Sequence, residues 1–457
     1  MGSSNTTRHT ETAVSVDADV VLKVASDPNN FYASFVREQD IAVIPSFTFE
    51  SGITLDSVPV AYSTWGALGD DRDNVLVVCH ALTGSSDAVD WWRPLVGAGK
   101  ALDYTRYFIF CANVLGSPYG SASPLSTNPK TGLSYGPGFP DTTIRDDVRI
   151  HKLILDALDV RGVAAVIGGS MGGMTTLEWP LCTPPGYVQN IIPITTSAYQ
   201  GAWGISWGET QRQSIYTDTI FKNGWYDPVP GGQPHQGLGT ARMIAMLTYR
   251  SHSSFEARFS RKPAAIVKKS CQSNGLPTPP SSHRGSLSSV VDSRNDLEPP
   301  INFAAQSYLQ YQADKFLKRF DANCYIHLTK KMDTHDITRD RLAHASSYPP
   351  SESDLTEILK DIPPKALVVS VETDILFAPE QQIELARCLP DAQYVALKSQ
   401  DGHDGFLLEF EALNTIIKGH LETQCPWIYQ QNLAASDAVE TGEVVDSVFG
   451  EAESVDF

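Results

Sequence analysis

Long apolar runs are missing from this chain of 457 residues. No stretch approaches the ~18 uninterrupted apolar residues of a membrane span, and no basic region followed by an apolar core opens the sequence. Positive charge is scarce: 35 Lys and Arg stand against 53 Asp and Glu, a formal charge of −18. That balance disfavours nonspecific binding to nucleic acid or an anionic membrane. CxxC pairs and metal-type clusters are absent. The seven cysteines, at 79, 111, 182, 271, 324, 388 and 425, are scattered and odd in number, so they read as reduced, mostly buried thiols in a cytoplasmic protein. No histidine and carboxylate cluster has zinc-like spacing, so neither a metal nor a bound cofactor is expected. A repeat of solenoid period is also missing. What remains is a globular composition, 42% hydrophobic, able to bury a substantial core.

The N-terminal MGSSNT formally fits the N-myristoylation pattern, but one acyl chain anchors only marginally and a polar tail over residues 1–20 is the expectation. From Ile41 short apolar runs alternate with turn signals. Ile41 to Phe49, Val58 to Trp65, Asn74 to Cys79 and Tyr107 to Asn113 read as strands. VLVVC is apolar throughout, as in a parallel strand covered on both faces. Ile144 to Leu158 has helical period, with Val148, His151, Leu155 and Leu158 on one face and Arg145, Asp146, Arg149 and Lys152 away from it. Thr143 with Asp146 resembles an acidic capping box. The strand VAAVIGGS, a helix from Met171 and the strand Asn190 to Thr195 follow. Strand and helix in alternation imply an α/β fold with a mainly parallel central sheet.

After Ser197 the strand rhythm stops, and TARMIAMLTYRS and NFAAQSYLQYQADKFLKRF read as helices. The expected organisation is a sheet domain over 41–196 and 350–425, with a helical cap inserted at 197–349. Within the cap, 262–300 is rich in Ser, Pro and Asn and reads as a low-complexity surface excursion. The sheet returns at Ala366 to Val371 and Gln393 to Leu397, the helix FEALNTIIKGHLET follows, and 430–457 is an acidic tail.

Gly168-Gly169-Ser170-Met171-Gly172 fits G-x-S-x-G between a predicted strand and a predicted helix, the context of a nucleophile elbow. The turn strains the serine backbone and leaves no room for side chains at 168 and 172. A P-loop would need Gly-Lys-Ser/Thr and a dinucleotide fingerprint G-x-G-x-x-G; GGSMGG supplies neither. A serine nucleophile needs a base and the base a carboxylate, in the chain order Ser, acid, His for an α/β-hydrolase fold. Asp374 follows the strand ALVVSVET, with Glu372 as rival, and His403 lies in SQDGHDGF, with Asp401 and Asp404 beside it. His80, after VLVVC, occupies the loop that supplies half of an oxyanion hole. The backbone N–H groups of Leu82 and Met171 are therefore assigned to the oxyanion.

These residues resemble the homoserine O-acetyltransferases, particularly their fungal branch. The likeness runs through YSTWGALGDDRDNVLVVCHALTGSSDAVDWWRPL, GSPYGSASPLS, GPGFPDTTIRDDVRIHKLILDALDV, VIGGSMGGMTTLEW, ARMIAMLTYRS and DGHDGFLLEF to the ending SVFGEAESVDF. The resemblance implies a homodimer that uses acetyl-CoA as co-substrate and acetylates L-homoserine for methionine synthesis, by a ping-pong route through acetyl-Ser170. By the same similarity Arg242 pairs with the substrate carboxylate and Asp404 holds its amino group, although Arg242 could instead make a structural contact on a cap helix. L-serine, a secondary-metabolite alcohol such as deacetylcephalosporin C, a succinyl donor, and plain ester hydrolysis stay open, because one methylene in the acceptor is worth only about 1–3 kcal/mol. A noncatalytic scaffold is disfavoured by the intact Ser, Asp and His. Pro180 and TPPG at 183–186 are expected to shorten or kink the helix after the elbow.

Overall fold

A computed structural model describes residues 19–430 apart from 25–26, 28–29, 37, 230, 265–302 and 343–346. Nine strands form one sheet: β1 Val21–Val24, β2 Asp40–Thr48, β3 Thr54–Trp65, β4 Val75–Cys79, β5 Phe108–Ala112, β6 Val163–Gly169, β7 Ile191–Ile194, β8 Leu367–Val371 and β9 Gln393–Leu397. Their order is β1-β2-β3-β5-β4-β6-β7-β8-β9. Pairing is antiparallel from β1 to β5 and parallel from β5 to β9. Every strand read from apolar runs is present, with ends that move by at most four residues.

The continuous apolar run of β4 has its physical reason in two separate cores. Leu76 and Val78 point into one, Val75, Val77 and Cys79 into the other, because successive side chains of a strand alternate faces. Twelve α-helices among the described residues cover the sheet and its C-terminal edge: α1 Ala88–Trp92, α2 Ile144–Ala157, α3 Met171–Cys182, α4 Ala202–Tyr216, α5 His235–Tyr249, α6 His252–Arg258, α7 Ala304–Leu317, α8 Ala322–Asp333, α9 Glu352–Leu359, α10 Pro379–Cys388, α11 Phe410–Gln424 and α12 Pro426–Gln430. Helices α4 to α9 fall between β7 and β8 in the chain, and no strand of the sheet lies among them. Helix α3 runs through Pro180 and stops at Cys182, where Thr183 is extended and its Oγ1 bonds the Trp179 carbonyl at 2.7 Å.

The capping box at α2 forms in both directions: Asp146 N–H donates to Thr143 Oγ1 at 3.2 Å and Thr143 N–H to Asp146 Oδ2 at 3.0 Å. The polar face expected for this helix needs a correction. Arg149 is exposed and Lys152 half-buried, but Arg145 and Asp146 are buried. Partners far along the chain explain it. Arg145 bonds Glu178 and the carbonyls of Asp336 and Arg339, while Asp146 also accepts from Glu50 N–H. The six described cysteines are free, and five are buried. The expected tails lie almost wholly outside the described residues, as does the excursion at 262–300 except for its first residues. Ala304 N–H meets the Lys262 carbonyl at 3.0 Å.

One buried ion pair ties α8 to α2 and to the loop after β5. Lys331 Nζ lies 2.6 and 2.8 Å from the Asp147 carboxylate oxygens and 2.7 Å from the Leu115 carbonyl, with both side chains sealed from solvent. Removing one partner leaves an uncompensated charge in the core, which costs about 3–5 kcal/mol. Lys331→Met is therefore expected to lower unfolding stability by about that amount. Urea denaturation measures it, and a loss below about 1 kcal/mol would contradict the account.

Candidate active site

Ser170 stands where β6 passes into α3, with φ 59° and ψ −123°. This left-handed region strains any residue other than glycine. The fold holds it there from several sides. Ser170 N–H donates to the Ile194 carbonyl at 3.0 Å, and the Ser170 carbonyl accepts from Thr196 Oγ1 at 2.9 Å and from the N–H groups of Gly173 and Met174. A Cβ at Gly168 would lie 2.3 Å from the Gly172 carbonyl oxygen, and one at Gly172 would lie 2.1 Å from the Cys79 carbonyl oxygen. Glycine is thus required by the close crossing of β6, α3 and β4, as expected from the motif.

Asp374 and His403 follow the neighbouring strands β8 and β9 and meet across the gap. His403 Nδ1 lies 2.7 Å from Asp374 Oδ2, and both residues are buried. The other carboxylate oxygen, Oδ1, accepts from the N–H groups of Leu376 at 2.8 Å and Phe377 at 3.0 Å, so the carboxylate is held before it orients the ring. It is Asp374 rather than the rival Glu372 whose carboxylate stands on His403 Nδ1. With Nδ1–H donating to Asp374, Nε2 is the nitrogen left without a proton in the neutral ring.

Ser170, His403, Leu82 and Asp404 line one pocket, closed by Trp91, Tyr249 and Phe406. Leu82 sits in a tight turn, with Gly84 N–H on the Ala81 carbonyl at 2.9 Å. Met171 is the first residue of α3, where a backbone N–H has no intrahelical acceptor. His80, weighed for this loop, has a different environment from His403. Its Nδ1 lies 2.8 Å from the Ala81 carbonyl, and its Nε2 accepts from Val114 N–H at 3.1 Å. Burial pulls its pKa down to about 4, so the ring is neutral.

Arg242 is buried on α5, with its guanidinium carbon 4.8 Å from the Phe316 ring centroid and 5.5 Å from that of Tyr249. Tyr249 lines the pocket; Arg242, like Asp374 and Met171, stands next to a lining residue without lining the pocket itself. Asp404 carries a partner that sequence reading missed: Arg250 Nε approaches its Oδ2 at 2.9 Å, and Arg250 Nη1 bonds Asp401 Oδ1 at 2.8 Å. Ser254 Oγ reaches Asp401 at 2.6 Å, and Ser251 Oγ bonds the Gln400 carbonyl. The chain after α5 is thereby fastened to the histidine loop. Only the N-cap role of Ser251 toward Ser254 N–H was legible locally.

The arrangement suits acyl transfer through serine: Ser170 and an imidazole oriented by a carboxylate share a pocket with Leu82 and the buried Asp404, and Met171 opens the helix that follows the serine. Residues 74–410 match the family model of the alpha/beta hydrolase fold, and the chain is an α/β-hydrolase-fold protein. Solved structures agree on the fold: homoserine O-acetyltransferase from Bacillus anthracis superposes with a TM-score of 0.68 at 21% identity, over 87% of this chain and 99% of that one. Esterase E22 does so equally well, at 0.68 and 24% over 84% of this chain and 100% of that one, so the fold by itself does not separate transferase from esterase. Sequence does. The homoserine O-acetyltransferase of Cryptococcus neoformans is 46% identical over 93% of this chain and 96% of its own. That of Emericella nidulans is 45% identical over 95% and 97%, and that of Saccharomyces cerevisiae 43% over 92% and 94%. The chain belongs to the homoserine O-acetyltransferase family and is an acyltransferase.

Among the described residues no helix is long and apolar enough to cross a membrane, and no group of three metal-ligating side chains occurs.

Gly172→Ala places a methyl against backbone rather than against a side chain that could move. It is expected to cost about 3 kcal/mol or to abolish soluble expression. A urea midpoint equal to that of the parent chain would contradict the close crossing.

Proposed function

We propose that this chain transfers the acetyl group of acetyl-CoA to the hydroxyl of L-homoserine through an acetyl-Ser170 intermediate. The observation that carries the reading is the 2.7 Å contact between His403 Nδ1 and Asp374 Oδ2 beside Ser170 in one pocket, within a chain so similar to named homoserine O-acetyltransferases. His403 Nε2 takes the Ser170 proton as Oγ attacks the thioester carbonyl. The Leu82 and Met171 N–H groups hold the tetrahedral oxyanion, and the thiolate of CoA leaves with the proton from the imidazolium. In the second half His403 deprotonates the homoserine hydroxyl, which attacks the acetyl-enzyme and frees Ser170.

Asp404 in the pocket wall suits the substrate ammonium, and Arg250 supplies a counter-charge while the site is empty of substrate. Arg242 is assigned the substrate carboxylate on the resemblance of its motif, and it stands against Tyr249, a residue of the pocket wall. The helices between β7 and β8 act as a cap over the acyl-enzyme, with Tyr249 and Trp207 from this segment in the pocket wall to limit the access of water.

CoA release from acetyl-CoA is expected to depend on L-homoserine, to be weak with L-serine or without acceptor, and to vanish in Ser170→Ala. Release independent of acceptor would make the chain a hydrolase, and activity surviving in Ser170→Ala would remove the nucleophile. Arg242→Lys is expected to raise KM for homoserine about 10- to 100-fold with a smaller change for acetyl-CoA, since a charge-assisted pair is worth roughly 1.5–3 kcal/mol. An unchanged KM would assign Arg242 to the packing of Phe316 and Tyr249.

A further inference from the structure

The turn that presents Leu82 is built around one peptide plane. The Ala81 carbonyl belongs to the same peptide group as the Leu82 N–H, and in a trans peptide the two point in opposite directions. That carbonyl accepts from Gly84 N–H at 2.9 Å and faces His80 Nδ1 at 2.8 Å. The proton on the histidine is assigned by its other contact. Val114 N–H can only donate, so His80 Nε2, at 3.1 Å, accepts and carries no proton. A neutral ring then bears its proton on Nδ1, and the carbonyl can only accept it. His80 is almost sealed from solvent, so water does not compete for either bond.

We propose that His80 is a positioning residue of the oxyanion site: its Nδ1–H holds the Ala81 carbonyl, fixes the plane of the Ala81–Leu82 peptide, and aims the Leu82 N–H into the pocket that Ser170 lines. The inference rests on the proposed role of Leu82 and adds to it the group that sets the donor's direction. Val114, two residues after β5, and His80, directly after β4, sit at the ends of adjacent parallel strands, so the ring passes the rigidity of the sheet to the turn. A carbonyl that accepts two hydrogen bonds also polarises its peptide and strengthens the N–H on the other side as a donor. Arg319 Nη1 bonds the Thr83 carbonyl at 3.0 Å and steadies the far side of the same turn.

Two amide replacements separate the contacts of the ring. The Asn amide nitrogen falls near the position of Nδ1, so His80→Asn keeps a donor for Ala81 and gives up Val114. The Gln amide falls near Nε2, so His80→Gln keeps Val114 and gives up Ala81. The readouts are steady-state acetyl transfer and the rate at which a fluorophosphonate phosphonylates Ser170, which needs the same oxyanion donors and no acceptor. His80→Gln is expected to lower kcat and the phosphonylation rate about 10- to 100-fold with KM within about twofold, whereas His80→Asn stays within about threefold of the parent in both. Equal losses in the two variants, or full phosphonylation of His80→Gln, would overturn the role of His80. A parent chain that leaves Ser170 unlabelled would instead overturn the serine mechanism beneath it. A measurement on the unmutated chain is independent of folding defects: nitrogen NMR of histidine-labelled protein, with the His80 signal assigned by its loss in the variants, is expected to show the Nδ1–H tautomer near neutral pH. The Nε2–H tautomer would overturn the proposal.

Discussion

Strand β6 and helix α3 cross β4 so closely that the Gly172 Cα lies almost in contact with the Cys79 carbonyl, and this crossing is the constraint on which the site depends. It forces Ser170 to a φ of 59°, a conformation that costs about 1–3 kcal/mol and persists only where surrounding bonds outweigh it. Those bonds come from β7 and the two residues after it: the Ile194 carbonyl takes the Ser170 N–H and Thr196 Oγ1 holds the Ser170 carbonyl. Met171, the first residue of α3, follows Ser170 directly, and Leu82 of the turn after β4 lines the same pocket as Ser170. The strained serine and the start of α3 are therefore consequences of one piece of packing.

The acid and base are set by a second pair of strands, and here the helical segment between β7 and β8 takes part. Thr373 Oγ1 links the Asp374 loop to the histidine loop through the Ser399 carbonyl and the Gly402 N–H. From the other side Arg250, Ser251 and Ser254 grip residues 400 to 404. The segment that supplies Tyr249 to the pocket wall also fastens the loop that carries His403.

Histidines divide by the charge of their partner. His80, His151, His327, His335 and His420 bond to carbonyl, hydroxyl or amide oxygens or a backbone N–H, and burial lowers each pKa to between about 3 and about 4. They are neutral struts. His403 alone of these six faces a carboxylate on Nδ1, an environment that favours the imidazolium formed when a base takes a proton. His403 is distinguished from these structural histidines by the carboxylate on its Nδ1.

The sequence by itself determined the alternation of strands and helices, the elbow, the chain order of Ser170, Asp374 and His403, and the cap of α2. Each is written in residues a few positions apart: a period of two or 3.6, a glycine two places from a serine, a threonine three before an aspartate. Family likeness reached further, to Asp404 and Arg242, because a motif carries its neighbours with it. Tertiary structure alone decided the rest. Arg145 and Asp146 looked like an exposed helix face and are buried, since Glu50, Glu178 and the carbonyls after α8 come to meet them. The grip of Arg250 on Asp404, the hold of Arg319 on the turn at Thr83, and the seat of Arg242 against Phe316 join residues that no local pattern connects. The physical reason is range: hydrophobic period and turn chemistry act between near neighbours in the chain, whereas a buried ion pair or a peptide plane is oriented by groups that only packing brings together.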